Sequence, residues 1–365
     1  MRVLFWSETF WPRIGGVERL ATALLPALRE RGHEFAVVTW VDGEPAGSAD
    51  FRGIGVHRFR FFAGTRHEGA LGALKHVEEV RRLKRRFDPH LVHVNSCGRS
   101  AWFHLATDDR RTPTLVTVHQ PVPADLDPVA SVAGRLLATA SWTACCSHAV
   151  LATVQERFVP DKARASVIGN ALPDPAPEPA PARFDAPRLL FVGRLVPEKG
   201  LDAVLEALPW LFARHPRARL VIAGDGPQAR PLRAAAAAAG IAAQVEFLGE
   251  VEPERVRVLI EESAVVIVPS RVEGFGLVAL EAAAGGRSVV ATRVGGLPEV
   301  VDDGITGVLV EPGDSQRFVR AVDALLADPA RADRLGRAAR ESAMHRFDWA
   351  QHVDAYDRLY RRLAA

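Results

Sequence analysis

Two stretches decide the reading of this chain: residues 188–200, RLLFVGRLVPEKG, and residues 271–284, RVEGFGLVALEAAA. In the first, the apolar run 189–192 has the length and composition of a buried strand, and it leads into Gly193 and a loop that offers Arg194 and Lys199. Lysine supplies a point charge and arginine a planar fork, a combination suited to a diphosphate. In the second, Glu273 stands in a glycine-rich turn with Gly274, Phe275 and Gly276, and Glu281 follows where the turn has become a helix. Backbone N–H groups at a helix start attract anions.

Outward from these stretches, short apolar runs alternate with helical patterns. In the second half, strands are expected at 189–192, 219–223, 245–248, 265–268 and 288–291, with helices at 200–214, 228–239, 253–261 and 276–285. In the first half, strands are expected at 3–6, 35–40, 55–60, 91–95, 115–119, 144–147 and 166–168, and a helix at 17–31. Strands joined by helical crossovers make a parallel, doubly wound α/β sheet. Between the halves, Pro173, Pro175, Pro177, Pro179, Pro181 and Pro187 exclude regular structure and read as a semi-rigid linker. Two sheets facing one deep cleft, with loops from the carboxyl ends of both sets of strands, are the expected architecture.

Residues 223–227 (AGDGP) and the early Gly15-Gly16-Val17-Glu18 complete a set of motifs with G-R-L-x-x-x-K-G and E-G-F-G. Taken together, in order and over residues 1 to about 361, they resemble the retaining, nucleotide-sugar-dependent glycosyltransferases of family 4. The resemblance implies the GT-B architecture: two Rossmann-like domains, 1–172 on the acceptor side and 188–346 binding the nucleotide sugar, a linker at 173–187, and a terminal helix at 347–365 that crosses back to the first domain. It implies that Arg194 and Lys199 bind both phosphates and stabilise the leaving nucleoside diphosphate, that Glu273 meets hydroxyls of the donor sugar, and that Glu281 meets the ribose. Backbone N–H groups of Phe275, Gly276 and Leu277 would reach the sugar or the distal phosphate, and His119 would lie by the transferred sugar. Asn95 and Ser96, on the acceptor side, replace a histidine frequent in the family, while Asn170-Ala171 and Ser288 are departures that leave the donor site intact. Transfer would retain the anomeric configuration, either with a phosphate oxygen taking the proton of the acceptor hydroxyl or by double displacement through an enzyme carboxylate. A sugar-nucleotide epimerase, a phosphorylase and a binding-only homologue are the alternatives.

The residues themselves argue in the same direction. Gly15 and Gly16 lie between the first strand and its helix, where two adjacent glycines permit close backbone approach to a phosphate or sugar hydroxyl, and the resemblance makes them donor-binding. Residues 7–16 lack the G-x-G-x-x-G spacing of a dinucleotide-binding oxidoreductase. Glu273 and Glu281, on a turn and on the helix after it, read as two binding contacts rather than the opposed carboxylates of a glycosidase. His119 ends the β-rich run 114–118; as one of 12 histidines it reads by itself as structural, and it is the resemblance that selects it.

At 365 residues the length favours two domains, and 48% apolar with 25% charged residues lets both bury a core. A net charge of +2 gives no reason to invoke nucleic acid. Cys97, Cys145 and Cys146 read as buried thiols in a reducing compartment. No signal peptide or spanning run is readable, so the cytoplasm is expected. No D-x-D motif is read and no His/Cys cluster at ligand spacing calls for a metal, and no lysine stands out for pyridoxal phosphate, so no metal and no cofactor is expected beyond the nucleotide-sugar substrate. The acceptor is a small molecule, a glycan or a lipid-linked sugar. The basic segment 76–86 has Leu74, Val77, Val80, Leu83 and Phe87 at helical spacing, which makes its charges the solvated face of a core-facing helix; peripheral membrane contact is the competing reading. Oligomeric state, base and sugar are left open.

Overall fold

Segments of three to seven residues, most of them largely apolar and too short for stable helices, become the strands of two sheets. The computed structural model describes residues 1–13, 15–41, 46–62, 69–158, 161–173 and 178–365. The chain forms two units, Met1–Pro173 with Trp349–Ala365, and Asp174–Asp348.

The first unit begins with β1 (Arg2–Ser7), α1 (Gly16–Glu30), β2 (Glu34–Trp40), β3 (Gly47–Phe51), β4 (Ile54–Phe59) and α2 (Gly69–Phe87). It continues with β5 (Leu91–Val94), α3 (Ala101–Leu105), β6 (Thr114–Val118), α4 (Val132–Thr139), β7 (Trp142–Cys145), α5 (His148–Arg157) and β8 (Ala165–Val167). Its eight strands lie in the order β3-β4-β2-β1-β5-β6-β7-β8. All neighbours are parallel except the edge pair β3–β4. Strand β3 (GSADF) has no apolar run and is mostly exposed, so hydrophobic pattern alone does not reveal it. The order reverses between β1 and β5, and ligands of open α/β sheets bind beyond the carboxyl ends of the strands at such a reversal.

The second unit holds β9 (Arg188–Val192), α6 (Leu201–Arg214), β10 (Arg219–Ala223), α7 (Ala229–Ala238), β11 (Val245–Gly249), α8 (Pro253–Glu262) and β12 (Val265–Val268). Then come α9 (Leu277–Ala284), β13 (Ser288–Thr292), α10 (Leu297–Val300), β14 (Val308–Val310), α11 (Ser315–Ala327) and α12 (Pro329–Arg346). The sheet is fully parallel, ordered β11-β10-β9-β12-β13-β14, and reverses between β9 and β12. Residues 178–187, read from sequence as part of a linker, have no helix or strand. They pack on this unit: Phe184 lies against its core and Arg287 Nη2 donates to the Ala180 carbonyl at 2.6 Å. Pro175 and Pro177 lie outside the described residues.

The last helix, α13 (Trp349–Ala364), belongs to the first unit and contributes Val353, Tyr356, Leu359 and Tyr360 to its core. Its docking is polar as well as apolar. The Tyr360 hydroxyl lies 2.6 Å from His93 Nδ1, His93 Nε2 lies 2.7 Å from Thr117 Oγ1, and the Tyr356 hydroxyl lies 3.3 Å from the same Thr117 oxygen. His93 is fully buried, and burial lowers its pKa to about 3, so the ring is neutral and uses one nitrogen as donor and the other as acceptor.

Two expectations for the basic segment need correction. Val77, Val80 and Leu83 of α2 are buried, but Leu74 is 62% exposed. Lys84 is not on a solvated face: its Nζ donates to His104 Nδ1 at 3.1 Å and to the Thr107 carbonyl at 3.2 Å, and burial lowers its pKa to about 8. A long methylene stem lets a lysine leave the charged stripe when acceptors wait at the next helix end. No helix among the described residues is long and apolar enough to cross a membrane.

Tyr360→Phe strands a buried imidazole nitrogen and is expected to cost about 1–3 kcal/mol. Denaturant unfolding followed by tryptophan fluorescence will read the first unit, since Trp210 alone of the seven tryptophans lies outside it; unchanged stability would show that α13 does not depend on this hydroxyl.

Candidate active site

Adjacent strands β9 and β12 bring together the two loops that carry the second unit's motifs. The loop after β9 starts at Gly193 (φ 151°), and a Cβ on the facing Gly224 (φ 143°) would collide with the Gly193 carbonyl oxygen. Only glycine lets the two loops approach so closely. Leu195 N–H donates to the Asp225 carbonyl at 2.8 Å and Gln228 N–H donates to the Leu195 carbonyl at 2.9 Å, so the segment 223–227 clamps the arginine-bearing loop from behind. A short turn, Pro197–Lys199, then ends at the left-handed Gly200, whose missing Cβ makes room for the Pro269 carbonyl.

The loop after β12 is tied to the first by backbone bonds, Arg271 N–H to the Glu198 carbonyl at 2.7 Å and Val272 N–H to the same oxygen at 3.2 Å. Arg271 also grips Asp202 with two bonds of 2.8 Å, which holds the Asp202 carboxyl below its usual range. At the centre, Lys199 Nζ donates to Glu273 Oε2 at 2.7 Å, and Ser270 Oγ donates to that oxygen at 3.0 Å. These charged side chains are 23% and 14% exposed, enough shielding from water to fix their geometry while leaving one side open. The sequence reading did not single out Ser270, three residues before Glu273; a hydroxyl directly after a buried strand was the available signal.

Arg194 is exposed, and its side chain has no hydrogen bond or ion pair among the described residues. Gly276, in the left-handed region (φ 103°), turns the chain into α9, and no side chain caps that helix start. The N–H groups from Leu277 onward are therefore unclaimed by any capping side chain. Phe275 is buried edge-on against Phe347, with centroids 5.6 Å apart, and Glu281 sits half-buried one turn further along α9. Gly295 and Gly296 make room for the carbonyls of Glu273 and Gly274, a close approach not foreseen from sequence.

In the first unit the carboxyl ends of β1, β5 and β6 gather Gly15, Gly16, Asn95, Ser96 and His119. The Glu18 carboxylate folds over Gly15, where a Cβ would collide with it, and accepts from Thr9 Oγ1. The start of α1 thus already carries a carboxylate, which suits a hydroxyl-bearing ligand better than a second anion. His119 ends β6 as anticipated but is only partly exposed. Its Nε2 donates to Asn95 Oδ1 at 3.0 Å, leaving Nδ1 as the acceptor nitrogen, buried and without a partner among the described residues. Burial, then the nearby His352, lowers the His119 pKa to about 4, so the ring is neutral near pH 7. His352, on α13, donates from Nδ1 to the Gly169 carbonyl at 2.7 Å, and burial lowers its pKa to about 4 as well. The pairing of Asn95 with His119 is a product of sheet order, since 24 residues separate them.

The reading that no D-x-D is present needs correction: that spacing occurs at Asp125-Leu126-Asp127, but the Asp127 carboxylate accepts the N–H groups of Val129 and Ala130 in a local turn. Among the described residues no group of three or more His, Cys, Asp or Glu is arranged to hold a metal ion.

Comparison with known proteins fits both units. The model for glycosyl transferases group 1 matches residues 177–342, and that for glycosyltransferase family 4 matches residues 14–174. A D-inositol 3-phosphate glycosyltransferase of Corynebacterium efficiens is 34% identical over 78% of this chain and 73% of its own. A glycogen synthase of Mycobacterium tuberculosis is 39% identical over 59% of this chain and 52% of its own, so the match spans about half the length of that relative. Sucrose-phosphate synthase from Thermosynechococcus elongatus, 23% identical, superposes over 99% of this chain and 98% of its own with a TM-score of 0.84, which shows the same fold. The class is that of the GT-B glycosyltransferases with two Rossmann-like domains. The chain belongs to glycosyltransferase family 4.

The lowered histidines give a pH prediction with a definite sign. His93, His119 and His352 have folded pKa values of about 3, 4 and 4 against 6.5 for a free side chain. Unfolding between these limits takes up protons, so stability is full above pH 6.5 and is lost as pH falls towards 4, by at most about 1.4 kcal/mol per pH unit for each histidine. Unfolding free energies measured from pH 7 to pH 4.5 should fall, and less steeply in His352→Gln; a flat profile would contradict the burial of these rings.

Proposed function

We propose that this protein transfers a sugar from a nucleoside-diphosphate sugar to an acceptor hydroxyl with retention of anomeric configuration. The observation that carries the reading is the Lys199–Glu273–Ser270 cluster, set beside the free guanidinium of Arg194 and the uncapped start of α9. A diphosphate is a dianion or more, and this corner presents two cations and oriented N–H groups at the carboxyl ends of two neighbouring parallel strands.

In the proposed mechanism Arg194 and Lys199 hold the phosphates and stabilise the charge that grows as the glycosidic bond breaks. Fixed charges of this kind are the largest single contribution in many enzymes. Glu273 serves two ends: its Oε2 orients Lys199, and its remaining lone pairs accept hydroxyls of the transferred sugar. The N–H groups of Phe275, Gly276 and Leu277 meet the sugar or distal phosphate, Gly193 allows the close approach, and Glu281 takes the ribose. The acceptor attacks from the face that the diphosphate leaves, and a phosphate oxygen removes its proton, so no strong protein base and no metal ion is needed.

The first unit supplies the acceptor side, through Asn95 and Ser96, and its Gly15 and Gly16 meet the donor. His119, neutral and held by Asn95, accepts a sugar hydroxyl at its second nitrogen. The relatives named above act, by their names, on a glucan and on an inositol phosphate, so kinship leaves the acceptor open. Free thiols at Cys97, Cys145 and Cys146 support a reducing, cytoplasmic setting.

Lys199→Ala and Glu273→Gln should each lower turnover by roughly a hundredfold or more. The substrate comes from thermal stabilisation by UDP, GDP, ADP and dTDP and their sugar conjugates, and proton NMR of the product's anomeric centre reports retention. Near-normal turnover in both variants would sink the assignment, and an inverted product would remove the same-face mechanism.

A further inference from the structure

The loop between β5 and α3 carries a feature that the donor chemistry does not use. Arg99 is exposed, and its guanidinium lies 4.7 Å from the centroid of the Phe62 ring. It has no hydrogen bond or ion pair through its side chain among the described residues. An arginine stacked on an aromatic face keeps its plane and leaves its N–H edge free, which is the arrangement that recognises phosphate or carboxylate.

Its backbone is held on both sides. Ser100 is fully buried; its N–H donates to Glu8 Oε1 at 2.6 Å and its hydroxyl accepts from Trp6 Nε1 at 2.8 Å. Gly98 lies flat against the Glu8 side chain, which occupies the place of a Cβ. Upstream, Asn95 N–H donates to the Trp6 carbonyl at 2.7 Å. The platform is equally fixed: Phe62 meets Trp40 and Phe103 with centroids 5.4 and 6.2 Å apart, and Phe103 stacks on the buried Phe61 at 4.1 Å. The loop lies where the sheet order reverses between β1 and β5, the place where ligands of such sheets bind. A clamped backbone, a stacked guanidinium and a missing carboxylate partner describe a preorganised oxyanion contact, not an arginine covering apolar surface.

We propose that Arg99 recognises the acceptor and that the acceptor carries an oxyanion, a phosphate or a carboxylate, near the hydroxyl that receives the sugar. This rests on the assignment of the loop 95–100 to the acceptor side. Phe62 is a positioning residue that fixes the guanidinium plane. The oxyanion belongs either to a small soluble polyol or to a lipid headgroup at a membrane surface, and the same contact serves both.

The probes are glycerol 3-phosphate, glycerate and glycerol, titrated into the full chain with nucleoside diphosphate present in excess so that the diphosphate site is filled. A parallel arm measures sedimentation with phosphatidylcholine vesicles with and without phosphatidylinositol. Tighter binding of glycerol 3-phosphate or glycerate than of glycerol, weakened about tenfold or more by Arg99→Gln and less by Arg99→Lys, is the expected result for a soluble acceptor. Phosphatidylinositol-dependent sedimentation lost in Arg99→Gln is the expected result for a lipid one. Equal binding of glycerol and glycerol 3-phosphate, with no Arg99-dependent sedimentation, would overturn the proposal. So would oxyanion binding that survives Arg99→Gln but disappears in Lys199→Ala, because the anion would then sit in the diphosphate site. Stabilisation by the nucleoside diphosphate alone is read separately, so a failed donor site is distinguished from a failed Arg99 contact.

Discussion

The ion pair between Lys199 Nζ and Glu273 Oε2, 2.7 Å long and mostly shielded from water, is the interaction around which the second unit is arranged. It joins residues 74 apart in sequence and exists because β9 and β12 are neighbours in a parallel sheet. Everything nearby serves to hold those two loops at one distance: the backbone bonds from Arg271 and Val272 to the Glu198 carbonyl, the bidentate grip of Arg271 on Asp202, and the glycines at 193, 200, 224, 295 and 296. An isolated surface pair contributes little to stability, so so much supporting structure around one pair argues for placement rather than for stability.

The first unit shows a second kind of constraint. Its buried polar groups His93, Thr117 and Asn95, with the partly exposed His119, lie at or near the carboxyl ends of β5 and β6, and hydroxyls from Tyr356 and Tyr360 on α13 satisfy two of them. Buried polar groups left unpaired are costly, so the helix and the strand ends must be in register together. Neutral imidazoles follow from the same burial, since desolvation favours the uncharged ring. These groups and Arg99 thus sit on a scaffold that has little freedom to rearrange.

Much of this was legible in the order of residues. Strands of pure apolar composition, such as 189–192 and 265–268, announce themselves because a central parallel strand is buried on both faces. The loop motifs were equally easy to place, since glycines and cations follow such a strand directly in sequence. Illegible elements share a different character. Strand β3 is polar and lies at an edge, where pairing rather than burial holds it; Lys84 looks like the other charges of α2 until His104 and Thr107 offer it acceptors; and Leu74 has helical spacing but no neighbour to cover it.

The sequence by itself determined that this chain makes two parallel α/β sheets and that cations follow the first strand of the second, because burial and helix periodicity are properties of contiguous residues. Only the tertiary structure decided that Lys199 pairs with Glu273 rather than with the adjacent Glu198, that Asn95 orients His119, and that Arg99 rests on Phe62 without a carboxylate. Those pairings depend on which strands become neighbours, and strand order follows from packing of the whole sheet rather than from any local run of residues.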